Sequence, residues 1–229
     1  MNSINLKQVF ANIAKKYEQV NHFITFGQDK RWRKTAALMA AKGGGDKWVD
    51  VCTGTGEMAV LLDKISPGST QVYGIDFTKA MLVQARKKNS SVKFIKGSAE
   101  DLPFAQSEID LITVSFAVRN LNLEPEKFKQ TLSEFYRVLK KNGRLVLLET
   151  SIPDNMLIRK MFFFLAPKVA KVTGHLLTGE KEGYEYLGNS ISEFYQGKDL
   201  NNILRKTGFS SAICKQLALG SVAIHIGTK

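Results

Sequence analysis

Trp48-Val49-Asp50-Val51-Cys52 runs into Thr53-Gly54-Thr55-Gly56-Glu57-Met58-Ala59. The first five residues are a short apolar run around one carboxylate, the pattern of a buried strand. The Thr/Gly cluster is a turn, and Glu57 onward has helical periodicity. Glycines at a strand-to-helix turn let the backbone pass close to a ligand, and a helix start offers free N–H groups. Twenty residues past Gly56, a second β-rich run ends in Gly74-Ile75-Asp76-Phe77. A carboxylate at that tip can accept hydrogen bonds from both hydroxyls of a ribose. Loop and acid at this spacing predict an adenosine-containing cofactor. Gly54-Thr55-Gly56-Glu57-Met58-Ala59 also satisfies the dinucleotide pattern G-x-G-x-x-A, so a nicotinamide competes.

Further strand candidates are 71–75, 92–95, 111–116 and 145–148, with helical stretches near 57–65, 78–88 and 124–139. Apolar strands alternating with helices indicate a parallel sheet covered on both faces. The chain then changes character. Residues 211–219 and 222–226 read as two strands joined by a tight turn at Gly220-Ser221, so one strand runs antiparallel. The expected fold is an α/β, Rossmann-like, doubly wound sheet of seven strands, mostly parallel with an antiparallel C-terminal hairpin. It forms a single domain over 1–229: an N-terminal helical cover (1–45), a cofactor-binding core (46–150), a helical insertion after strand five (151–195), and a final helix and hairpin (196–229). The hairpin is foreign to a nicotinamide-binding sheet. Asp50 would repel a pyrophosphate, whereas the ammonium of S-adenosylmethionine would gain a partner there.

The composition is that of an ordinary globular chain: 229 residues, 44% apolar and 24% charged, with 18 Gly and 5 Pro. It excludes a disordered or collagen-like chain. No run reaches the ~20 apolar residues needed to span a bilayer, and the start lacks a secretory pattern. Cys52 and Cys214 are too few for a disulfide framework, and a cytoplasmic location is expected. Thirty-three basic against 21 acidic residues give +12, which predicts an anionic partner such as nucleic acid, a lipid surface or a phosphorylated substrate. From Asn155 to Leu177 there are four bases and no acid.

The chain resembles the class I methyltransferases, and within them the C-methyltransferases of menaquinone and ubiquinone biosynthesis. The likeness begins at Val9-Phe10-Ala11-Asn12 through Tyr17-Glu18-Gln19-Val20-Asn21 and continues at Arg31-Trp32-Arg33-Lys34. It takes in Asp50–Glu57, Gly74–Phe77 and Ala99-Glu100-Asp101-Leu102-Pro103-Phe104. Ser115-Phe116-Ala117-Val118-Arg119-Asn120 is similar to the family's arginine–asparagine motif. Gly143-Arg144-Leu145 matches the approach to strand five, and Tyr184, Tyr186, Leu187, Ser190 and Ile191 match the insertion. The chain departs from the pattern at Ser98, where an acid or amide faces the adenine amino group. It also departs at Ala117-Val118 (for Gly-Leu), at Lys141-Asn142 (for Pro-Gly) and at Thr150 (for Phe).

The resemblance implies S-adenosyl-L-methionine as cofactor, held by Asp50, Gly54, Thr55, Gly56, Asp76, Ser98, Ala99 and Ser115. It implies methyl transfer to the ring carbon of a polyprenylated quinol, demethylmenaquinol or a benzoquinol. Such a carbon is nucleophilic once the neighbouring phenol is deprotonated, so the site needs a fixed cation in a water-poor pocket. Arg119 is the candidate cation; its pKa is too high for it to be the base. Asn120 would orient the substrate oxygen or a water, and Tyr17 would relay the proton. No metal is expected: His22, His175 and His225 lack ligand spacing and read as structural, and both cysteines read as small buried hydrophobes.

Arg159-Lys160-Met161-Phe162-Phe163-Phe164 mixes bases with a dense apolar run. It suits peripheral association with the inner face of the cell membrane, the prenyl tail lying along the phenylalanines, as well as it suits simple packing. A homodimer stays open. Rival readings are a methyltransferase acting on another small molecule or on RNA, and a binding scaffold without turnover. Against RNA, the fourth strand lacks the Pro-Pro-aromatic turn used for base nitrogens, no Pro-Cys pair is present, and basic-aromatic interleaving is missing. No nucleic-acid partner is expected.

Overall fold

The computed structural model describes residues 11, 14–122, 124–178 and 197–229. Seven strands form one sheet in the order β3-β2-β1-β4-β5-β7-β6: β1 (Lys47–Val51), β2 (Gln71–Asp76), β3 (Lys93–Lys96), β4 (Ile109–Ser115), β5 (Leu139–Thr150), β6 (Ser211–Leu217) and β7 (Val222–Thr228). The strands from β3 to β5 pair in parallel, and β7 runs antiparallel to both β5 and β6.

Alternate residues feed two cores. Val49, Val51, Ile112, Val114, Leu145 and Leu147 share one cluster with Phe128, Leu132 and Phe135 of α6 (Pro125–Val138) and with Leu200 and Leu204 of α8 (Gly197–Lys206). On the other side, Trp48, Val72, Leu111, Val146 and Leu148 pack with Met58, Ala59 and Leu62 of α3 (Glu57–Ile65) and with Ala36, Ala37 and Ala40 of α2 (Gln28–Ala41). Strands covered on both faces lose the polar alternation of a half-exposed sheet, hence their continuous apolar runs. Removing the fully buried Phe135 ring would cost about 3–5 kcal/mol. The three alanines, all with no exposed surface, let α2 approach the sheet closely.

Ahead of α2 lies α1 (Tyr17–Ile24), joined to it through Phe26 (φ 50°) and Gly27 (φ 75°). The remaining helices among the described residues are α4 (Lys79–Ala85), the short α5 (Val118–Leu121) and α7 (Met156–Thr178).

Three local expectations are corrected. The fifth strand is much longer than 145–148, because β4 pairs Ile109 with Leu139 and then Leu111 with Arg144, which leaves an excursion at 140–143. Asn142 takes the left-handed φ of 64° there, and its N–H donates to the Lys229 carbonyl at 2.9 Å. The hairpin connection is a 3₁₀ turn over Ala218–Gly220, with Ala218 and Leu219 at positive φ, rather than a tight Gly220-Ser221 turn. The helix expected over 78–88 closes at Ala85. The insertion begins as the 23-residue α7; residues 179–196, with the tyrosines and serine singled out above, lie outside the described residues, as does most of Val9–Ile13.

Candidate active site

The neighbours of β1 are β2 on one side and β4 on the other: the chain leaves β1 towards β2 and β3, and then crosses back to β4 on the opposite side. A doubly wound sheet opens its ligand crevice at such a switch point. A cavity of about 370 Å³ lies there.

The glycine loop is folded by its own backbone: Thr53 N–H donates to the Ile75 carbonyl at 2.9 Å, and Gly56 N–H to the Thr53 carbonyl at 2.8 Å. Asp76 staples loop to strand. One of its oxygens accepts Gly54 N–H and the other Thr78 N–H, both at 2.8 Å. Burial raises its pKa, and each oxygen keeps a second lone pair for a ligand hydroxyl. Gly54 and Thr55 line the cavity; a Cβ built on Gly54 would meet nothing within 4 Å. Gly56 faces the other way. Its φ is 82°, and a Cβ would strike Phe94 at 2.9 Å and Ala85 at 3.0 Å. It serves close packing of the turn and is not among the residues walling the cavity.

Asp50 is buried at the cavity floor, in register with Gly74 and Thr113. Its oxygens accept the Thr53 hydroxyl at 2.6 Å and the Thr113 hydroxyl at 2.7 Å. Desolvation outweighs those bonds and raises its pKa to about 6. Ser98 and Ala99, after β3, and Ser115, at the end of β4, complete the cofactor-side wall. Ser98 Oγ donates to Glu100 at 3.1 Å.

Two residues just past the strand ends, Cys52 and Phe116, both have φ 56° and both line the cavity. Non-glycine residues held there store about 1–3 kcal/mol of strain each. The Cys52 thiol is pushed far up by burial and by nearby carboxylates, so it stays protonated. That suits a packing role and not a nucleophile.

Tyr17 reaches the cavity from α1 and Asn120 from α5. Burial raises the Tyr17 phenol above its ordinary pKa. Arg119 occupies the same α5 turn but is not among the residues walling the cavity. Its amide meets Glu149 Oε2 at 3.4 Å.

Sequence reasoning missed three charged residues. Arg33 is buried between Asp29 (2.8 Å) and Glu57 (3.3 Å), with its guanidinium 5.2 Å from the Phe116 ring centre. It lines the cavity together with Glu57. The i,i+4 spacing of Asp29 and Arg33 was a legible signal; their burial was not. Glu149 is buried, and its carboxylate takes the backbone amides of Val118 and Thr150 at 2.8 and 2.7 Å. Desolvation lifts its pKa to about 7. Elsewhere, His22 bonds Asp29 at 3.1 Å and His225 bonds Asn201 at 2.8 Å.

The walls fit an adenosine-bearing, amino-acid-tailed cofactor. Ser115 Oγ is buried without a hydrogen-bond partner among the described residues, the space beside Gly54 is open, and charges of both signs (Arg33, Glu57, Asp50) suit a zwitterion. Solved structures share the fold: a methyltransferase from Thermotoga maritima described as a possible histamine N-methyltransferase has a TM-score of 0.62 and 21% identity, covering 97% of this chain and 99% of that one. A putative methyltransferase from Haloferax volcanii, in complex with the activator Trm112, has a TM-score of 0.66 and 16% identity, covering 96% of each chain. The protein is an S-adenosylmethionine-dependent methyltransferase with the class I fold.

The sequence model of the ubiE/COQ5 methyltransferase family matches residues 1–229, and the chain belongs to that family. Similar proteins include the demethylmenaquinone methyltransferase of Staphylococcus aureus, 35% identical over 231 residues (100% of this chain, 94% of that protein). The demethylmenaquinone methyltransferase of Bacteroides fragilis is 33% identical over 234 residues (99% and 93%).

Proposed function

We propose that the protein methylates a ring carbon of a polyprenylated quinol, demethylmenaquinol to menaquinol or the benzoquinol equivalent, working at the cytoplasmic face of the membrane that holds its acceptor. One observation carries the reading: Tyr17 and Asn120 wall the same cavity as Asp76 and the glycine loop. The names of its relatives point to the same acceptor class.

S-adenosylmethionine, when bound, supplies an electrophilic methyl group. Asp76, Gly54, Thr55, Ser98, Ala99 and Ser115 would hold its adenosine end, and Arg33, Glu57 and Asp50 its amino-acid end. The remaining work is electrostatic. Arg119, on the α5 turn just outside the cavity wall, is assigned the quinol oxyanion that makes the adjacent carbon nucleophilic, a contact its guanidinium makes by turning inward when the acceptor is bound. Asn120 orients that oxygen. Tyr17, protonated at neutral pH, is not the base; its hydroxyl relays the quinol O–H proton and, after methyl transfer, the ring C–H proton out to solvent water. Tyr17 and Phe116, both in the cavity wall, limit water, which strengthens any charge contact made to the bound quinol oxygen.

The test is mass spectrometry of S-adenosylmethionine with a short-tail reduced demethylmenaquinone, beside Arg119→Ala. Wild type is expected to yield a product heavier by one methylene, and the variant to lose roughly 10²–10³-fold in rate. Unchanged turnover in Arg119→Ala would remove the role given to Arg119. Absence of product with the cofactor bound would overturn the acceptor.

A further inference from the structure

We propose that the outward faces of α1 and α7 form one docking surface for an anionic phospholipid bilayer. On α7, Met156, Leu157, Met161, Phe164 and Leu165 are between 49% and 70% exposed. They fall into two rows at i,i+4 spacing, the geometry of a single helix face. Lys160 and Lys168 complete one of those rows, with Lys168 Nζ 3.4 Å from the Phe164 ring centre. Helix α1 packs against α7 and adds Phe23, 62% exposed, and the turn that follows it adds Phe26, 84% exposed. Phe26 projects from a left-handed turn, where a large side chain is held at a cost and without burial.

An apolar helix face normally points inward. Here it points outward over more than two turns and carries lysines within it. Acyl chains match the apolar rows and lipid phosphates match the lysines. A second copy of the chain would bring the same positive face against itself, and α7 has no acid between Asn155 and Leu177 to offset it. No helix among the described residues is long and apolar enough to cross a membrane, so the contact is a lateral one. It also reaches the chemistry. Tyr17, in the cavity wall, and Phe23, in the exposed face, lie six residues apart on α1, about 9 Å along its axis. The docked helix is therefore also a wall of the reaction cavity.

The inference deepens the proposed reaction by naming the surface on which a membrane-held acceptor would be met, and its test is separable from that reaction. Full-length protein is sedimented with vesicles of phosphatidylcholine plus phosphatidylglycerol, and with vesicles of phosphatidylcholine alone. The comparison variant is Leu157→Glu/Met161→Glu, on exposed positions outside the cavity. Wild type is expected to bind the anionic vesicles, and to release them at salt of about 0.5 M, where the screening length is short. The variant should partition at least about tenfold less, with unchanged melting temperature and unchanged turnover of a water-soluble quinol. Equal partition of variant and wild type, or wild type that ignores anionic vesicles, overturns the proposal. A variant that merely turns a dimer into a monomer, with wild type not binding vesicles, gives the face to self-association. Vesicle binding as expected with no quinol methylated leaves the docking surface standing and removes the proposed reaction.

Discussion

Glu149, near the end of β5, accepts the amide hydrogen of Val118, the first residue of α5, at 2.8 Å. Through that bond a buried carboxylate on one strand anchors the four-residue turn that carries Arg119 and Asn120 beyond the end of another. The turn closes few backbone bonds of its own, Leu121 N–H to the Ala117 carbonyl and Asn122 N–H to the Val118 carbonyl, both at 3.0 Å, so its position depends on what holds its first amides. Glu149→Ala is expected to lower methyl transfer by roughly 10–100-fold with cofactor affinity little changed, because a small misplacement of a polar group is costly in a preorganised site. Single-turnover rates and cofactor titration check this.

The same residue sets a pH dependence of stability. Its folded pKa is raised from the usual 4.5 to about 7 by desolvation, so the folded state binds more protons than the unfolded one in that window. Stability is full below pH 4.5, falls as pH rises towards 7, and levels off above. Asp50, raised from 3.8 to about 6, acts in the same direction at lower pH. Glu149→Gln should flatten the fall between pH 6 and 7 specifically, an effect on the order of 1 kcal/mol. Urea unfolding at pH 5, 6, 7 and 8 measures it, and an unaltered slope would refute the assignment.

Ser115 separates ligand binding from stability. Among the described residues its buried hydroxyl has no hydrogen-bond partner, a liability in the ligand-free protein. Ser115→Ala should leave the ligand-free protein as stable or more stable by up to about 1 kcal/mol. It should weaken S-adenosylmethionine about 3–10-fold, the loss of one neutral hydrogen bond. Thermal melts with and without cofactor read both quantities.

Arg33 is expected to behave as a buried charge whose removal strands its partners. Arg33→Met leaves Asp29 and Glu57 without their cation and should cost about 3–5 kcal/mol. Adding Glu57→Gln should recover part of that loss, a coupling that a double-mutant cycle reports directly. Independent losses would show that the pair carries no energy.

Gly56 and Gly44 form a matched comparison. Both have positive φ, 82° and 64°, but a Cβ on Gly56 meets Phe94 and Ala85 whereas one on Gly44 meets nothing. Gly44→Ala should cost about 1 kcal/mol for backbone strain alone. Gly56→Ala should cost about 1–3 kcal/mol more, from overpacking. Equal melting shifts would mean that the packing is slack.

Much of this was readable from residue order. The boundaries of α3 follow from the helical period after Gly56, and the central strands from their apolar runs. Asp76 and the glycine loop were legible because their chemistry depends on local spacing. Residues 139–144 were not, since Lys140, Lys141 and Asn142 carry no strand signal; Leu139 and Arg144 pair with Ile109 and Leu111 on either side of the excursion, and Asn142 N–H donates to the distant Lys229 carbonyl. The hairpin turn was misplaced because Ala218 and Leu219 adopt left-handed φ that their side chains do not advertise. Burial of Arg33 and Glu149 is likewise tertiary: nothing within one helix or strand says that its charged residue faces inward.

The antiparallel placement of β7 has a consequence for synthesis. Its partner β5 pairs Thr150 with Val222 and Arg144 with Thr228, residues 72 and 84 positions apart. At ribosomal speeds of about 5–20 residues per second, β5 waits roughly 4–17 s for its neighbour. During that interval Leu145, Leu147 and Leu148 sit on an unpaired edge, the kind of template on which nascent chains aggregate. The cofactor-binding strands β1, β2 and β4 are all made before the wait begins. Early capture of cofactor by the growing chain would therefore stabilise the half-built sheet when it is most exposed.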